Sequence, residues 1–136
     1  MTKLMSHPSF LRNVLLADAV TSAACGLLMT AGATVLEPML GLPGAVLRYA
    51  GISLLPFAAF VAVVATRASL SRPAVWVVIV CNAAWALESV LLLVSGWVAP
   101  TLPGYGFVLF QAIVVAAFAE LEFIGVRRAA PVAANA

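Results

Sequence analysis

Four apolar stretches of about 22 residues, each ended by proline, glycine or arginine, constrain this chain more than any other feature. They cover roughly residues 10–32, 45–66, 74–96 and 104–125. The first gives way to Glu37-Pro38 and Leu42-Pro43-Gly44, the second to a polar segment from Arg67 to Pro73. Pro100-Thr101-Leu102-Pro103-Gly104 separates the third from the fourth, and Arg127-Arg128 closes the last. As helices these stretches are about 33 Å long at 1.5 Å per residue, the thickness of a bilayer's hydrocarbon core. Barrel strands would be about 10 residues long and strictly alternating, and that pattern is absent. The expected fold is all-α: one domain, residues 1–136, of four transmembrane helices in an up-down bundle.

Composition agrees. Apolar residues make up 65% of the chain and charged residues 9%, with a mean hydropathy of +1.15. Soluble domains carry about 45–50% and about 25%, so lipid must cover most of the surface, and the bilayer is the first partner. Four spans leave no room for a folded extramembrane domain. The net charge of +2 comes from scattered bases, with no basic patch for nucleic acid. Cys25 and Cys81 lie in different spans with no paired spacing, as small apolar packing residues do.

The first span has some marks of a signal peptide: Lys3 and Arg12 ahead of it, and Ala31-Gly32-Ala33 as small residues behind. It exceeds the usual 7–15 apolar residues and Asp18 interrupts it, so it is expected to remain as a span. Lys3, Arg12, Arg67, Arg72, Arg127 and Arg128 fall on one side of a four-span chain, and only Arg48 on the other. The positive-inside rule then puts both termini in the cytoplasm. Six arginines to one lysine suggest a GC-rich bacterial genome and hence an inner membrane. Trp76 at one interface, and Tyr49, Trp97 and Tyr105 at the other, form aromatic belts.

Polar groups within the spans carry the functional information. A charge at the bilayer centre costs about 2.5–3.5 kcal/mol even on lenient scales. Asp18, Ser22, Gly26 and Thr30 recur every four residues, a small and polar stripe suited to close helix packing. Asp18 is a candidate titratable site for proton coupling or cation binding. Asn82, Trp85, Glu88 and Ser89 share a face of the third span. Arg48, Trp85, Glu88 and Gln111 are expected to form an outward polar pocket, or a hydrogen-bonded clamp between spans two, three and four. Glu120 lies at the depth of Asp18 and Asn82, an expected second cluster, whereas Glu122 is expected near the interface and solvated. Pro56 removes a hydrogen bond to the Ile52 carbonyl and marks the second span as the place for a bend.

No cofactor or metal is expected. The sole histidine, His7, lies before the first span, which excludes a bis-histidine haem within one chain and the usual zinc sites. Nucleophilic catalysis finds no ready set of residues. In size, in span number and in carrying an acid in the first span, the chain resembles the small multidrug-resistance transporters. The likeness is one of architecture, because Leu16-Ala17-Asp18-Ala19-Val20-Thr21 departs from that family's signature, whose acid is a glutamate. The expected function is a homo-oligomeric carrier or channel for a small molecule or ion that uses intramembrane carboxylates. The alternatives are an accessory subunit of a larger membrane complex, and a lipid- or isoprenoid-modifying enzyme with Glu88 as general acid.

Overall fold

The computed structural model describes residues 8–135, with side chains over 9–128; Lys3 and His7 lie outside the described residues. Among the described residues five helices follow one another: α1 Pro8–Ala31, α2 Ala33–Leu40, α3 Gly44–Thr66, α4 Arg72–Val94 and α5 Leu102–Asn135. Four of them, α1, α3, α4 and α5, are long and apolar enough to cross a membrane. The fifth, α2, replaces the open turn expected between the first two spans. Glu37 and Pro38 lie inside it, and it stops at Gly41, whose φ of 68° is left-handed. Only glycine adopts that conformation readily. A Cβ there would also meet the Thr101 backbone nitrogen at 2.8 Å.

The other departure is at the far end. Arg127 and Arg128 were expected to stop the last helix, but α5 continues to Asn135. Arginines end the apolar span without ending the helix, and the alanines after them have the highest helix propensity.

Pairing is uneven. Helix α1 packs along α3, and α4 along α5, whereas α3 and α4 barely meet. The buried residues of α3 are Gly44, Leu47, Gly51, Leu54, Ala58, Val61, Val64 and Ala65, and all but Val64 are spaced alternately by three and four. That repeat is the seam of helices crossing at a shallow left-handed angle. Pro56 falls outside the seam, exposed, and α3 is unbroken across it. At the crossing, a Cβ on Gly26 would lie 3.0 Å from the Gly51 carbonyl oxygen, and one on Gly51 2.8 Å from that of Gly26. The two glycines let the backbones touch, as small residues do where no hydrophobic force separates helix from lipid.

Each end of the bundle is tied by carbonyl capping. At the basic end, the Arg12 guanidinium donates to the Ala65 carbonyl, to the Arg67 carbonyl at 2.7 Å and to the Ala68 carbonyl at 3.3 Å. The Ala65 and Arg67 carbonyls are orphan acceptors where α3 stops, Ala68 follows directly, and a cation also suits the negative end of the helix dipole. Arg12→Met keeps the apolar stem and removes the donors. It is expected to lower unfolding free energy by about 1.5–3 kcal/mol, the worth of hydrogen bonds to a charged group, read by thermal unfolding in detergent. An unchanged midpoint would show that the cap contributes nothing. At the opposite end, Thr101 donates from its backbone nitrogen to the Leu40 carbonyl (3.0 Å) and from its hydroxyl to Met39 (2.7 Å). The Glu37 carboxylate accepts from the Gly44 backbone nitrogen at 2.7 Å, capping the start of α3.

Two apolar clusters fill the interior. One gathers Leu11, Leu15, Val61, Val75, Val78 and Val126; the other gathers Met29, Leu40, Leu47, Leu54 and Val108. Polar side chains lie between them.

Candidate functional site: a buried carboxyl pair beside a lateral cavity

Helix α1 supplies Asp18 and Ser22, α4 supplies Asn82 and α5 supplies Glu122, all buried; Asp18 and Glu122 are 0% exposed. The Asn82 amide nitrogen donates to Asp18 Oδ2 at 2.7 Å and to Glu122 Oε1 at 2.9 Å. Ser22 Oγ donates to Asp18 Oδ1 at 3.1 Å, one helical turn away. An amide carries two N–H groups and a hydroxyl one, so three donors serve four carboxyl oxygens. The fourth oxygen, Glu122 Oε2, is buried with no partner. Such an atom costs about 1–3 kcal/mol, and a proton carried by the pair would supply the missing donor.

A second network stands further along α4 and α5. Trp85 Nε1 donates to Gln111 Oε1 at 2.7 Å. Gln111 Nε2 donates to Ser89 Oγ and to the Val108 carbonyl, each at 2.9 Å, and Ser89 Oγ donates to the Trp85 carbonyl at 2.7 Å. Every N–H of Trp85 and Gln111 side chains is thereby used.

The residues singled out from the sequence divide accordingly. Asp18 and Asn82 come together; Trp85 and Gln111 come together. Arg48 joins neither, for it is exposed with Nη2 3.5 Å from Thr34 Oγ1. It lies next to Leu47 but off the α3 seam, so its chain runs toward α2. Glu88 is exposed and lines the gap between α3 and α4 with Tyr49 and Ser53. Gly26 and Ser22 are buried within the α1 stripe, and Thr30 is half-buried with its hydroxyl oxygen unpartnered.

The acid that completes the inner cluster is Glu122, and Glu120 is exposed. The signal for this was in the spacing. Glu122 stands eleven positions after Gln111, just over three full turns, so both share a face at 3.6 residues per turn. Glu120 stands half a turn away. Gly104, Val108, Ala112, Ala119 and Val126 continue the same buried stripe. Solvation at the interface does not occur for Glu122, because Leu11, packed on Gly125, covers the helix there.

A cavity of about 430 Å³ opens between α1 and α5 at the flank of the bundle, with Asp18, Ser22, Trp85 and Gln111 in its wall. These helices touch near Leu11 and Gly125. Toward the other end α2 takes over the contact with α5, through Leu40 and Thr101. The window lies between those two contacts, framed by Val20 and Leu28 on one side and Phe110 and Phe118 on the other.

Four apolar spans around a buried polar core define a small multi-pass membrane protein of helical type. Comparison with family models, with curated proteins and with solved structures finds no match to this chain.

Proposed function

We propose that the protein is a carrier for a small molecule and that Asp18 and Glu122, bridged by Asn82, form its proton-exchanging centre. The observation that carries this reading is the count of three donors to four buried carboxyl oxygens. Intramembrane carboxyls that face a bundle interior mark proton relays and substrate paths. A group that gains or loses a proton here changes the hydrogen bonding between α1, α4 and α5 at once, which couples proton occupancy to the packing of the two helix pairs. Apolar clusters lie on both sides of the polar layer, so a route across requires either repacking or a second copy of the chain. We take the working unit to be a homo-oligomer in a bacterial inner membrane with both termini cytoplasmic, in keeping with the distribution of the arginines.

The test uses proteoliposomes that hold a pH gradient and an internal pH dye. Three solutes of matched chain length are added in turn: an alkyl alcohol, an alkyl quaternary ammonium and an alkyl sulfonate, none of which titrates near neutrality. At least one is expected to collapse the gradient faster than in protein-free vesicles. In Asp18→Asn and Glu122→Gln the rate is expected to fall to the protein-free level. A gradient untouched by all three solutes, or a rate undiminished in both variants, would overturn the carrier reading.

A further inference from the structure

The cavity between α1 and α5 is lined by apolar and aromatic side chains apart from five polar ones, and among the described residues no lysine, arginine or histidine lines it. Its volume of about 430 Å³ is in the range of small-molecule sites. The polar atoms in its wall are nearly all spent as donors. Trp85 gives its only side-chain N–H to Gln111. Gln111 gives both of its own to Ser89 and Val108, and Ser22 gives its hydroxyl proton to Asp18. What remains open to the cavity, the Thr21 hydroxyl and Cys25 thiol aside, are acceptor lone pairs on Ser22 and Gln111, with Asp18 directly behind Ser22. A wall of this kind recognises a hydrogen-bond donor and leaves a bare acceptor unpaired.

The window's frame adds the second constraint. Val20 and Phe110 are 69% and 70% exposed on the flank of the bundle, where lipid lies against spans of this kind. A ligand reaching the cavity sideways must first dissolve in hydrocarbon. A full charge is costly at that depth; a single hydroxyl on an apolar body is far cheaper. From these walls we infer that the cavity binds a lipid-soluble phenol or alcohol. Its hydroxyl donates to the acceptors around Asp18, and its apolar body lies among Phe107, Phe110 and Phe118. This names the substrate class of the proposed carrier and rests on that reading for its purpose, while binding itself is measurable without transport.

The experiment uses the full chain in phosphatidylcholine nanodiscs and equilibrium dialysis of three labelled probes, corrected for empty nanodiscs. They are para-hexylphenol, its methyl ether para-hexylanisole, and para-hexylphenyltrimethylammonium. The phenol is expected to bind saturably and at least about tenfold more tightly than the anisole, as one hydrogen bond to a charged or shared acceptor requires. Asp18→Asn is expected to erase the difference. Ala24→Trp fills the cavity from an exposed position on α1 without touching the carboxyls; it is expected to abolish phenol binding while the thermal midpoint stays unchanged. Equal binding of phenol and anisole, tighter binding of the quaternary ammonium, or binding that survives Ala24→Trp would overturn the inference. If the phenol fails to bind while another solute collapses the pH gradient through Asp18, this inference falls and the carrier stands. If the phenol binds and no solute moves protons, the carrier falls and the site stands.

Discussion

Asn82→Leu is expected to lower the unfolding free energy by ~2–4 kcal/mol, since it takes a donor from each of two buried carboxyls and leaves Glu122 with none. Each buried group left without a donor costs about 1–3 kcal/mol. Interhelical hydrogen bonds in membranes average only about 0.6 kcal/mol, because the separated helices find other partners in lipid. That compensation is weak here. Asp18 and Glu122 sit on α1 and α5, and the amide that bridges them is on α4; without it Asp18 keeps only the Ser22 hydroxyl. Steric trapping in bicelles measures the loss. A triple variant, Asp18→Leu with Asn82→Leu and Glu122→Leu, separates structure from function. Replacing a whole buried polar set with packed apolar residues is often neutral or stabilising by about 1–4 kcal/mol. The triple variant is expected to regain or exceed the parent's stability and to move no protons. An Asn82→Leu protein as stable as the parent would show that the amide does not hold the carboxyls.

The second large effect is expected at the α1–α3 crossing. Gly51→Ala places a methyl 2.8 Å from the Gly26 carbonyl oxygen and 2.8 Å from the Thr30 backbone nitrogen. Both are backbone atoms, and a real Cβ contact that short is not tolerated, so the helices must part. Overpacking of this kind costs about 1–3 kcal/mol, and Gly51→Leu should exceed Gly51→Ala. The consequence reaches the site. Asp18 and Ser22 lie two turns and one turn from Gly26 on the same stripe of α1, so a displaced α1 carries Asp18 away from Asn82. Thermal unfolding reads the stability, and the pH-gradient assay reads the site. A Gly51→Leu protein with the parent's midpoint would mean that the crossing is looser than the contact distances require.

How legible the site was depended on the helix. On α1, the recurrence of Asp18, Ser22 and Gly26 every four residues identified the buried stripe directly, because polar and small residues stand out against an apolar background. On α5 the same logic applied through Gln111, whose face contains Glu122 and excludes Glu120; depth alone pointed the other way, and depth was the weaker guide. Arg48 shows a different limit. Its height in the membrane brought it near Trp85 and Gln111, but its rotation about α3 sends it toward α2. Helices that are apolar on every side give no hydrophobic periodicity to fix rotation, so only the rare polar residue reports it.

What the amino-acid order determined was the number and length of the spans, since hydrocarbon thickness and the cost of charge in lipid act on each segment separately. The rotation of α5 that buries Glu122, the short helix α2, and the lateral cavity were decided by tertiary packing. Each depends on how one helix meets another: glycines at the α1–α3 crossing, Leu11 on Gly125, and Leu40 against Thr101. Those contacts join residues tens of positions apart, and no single segment encodes them.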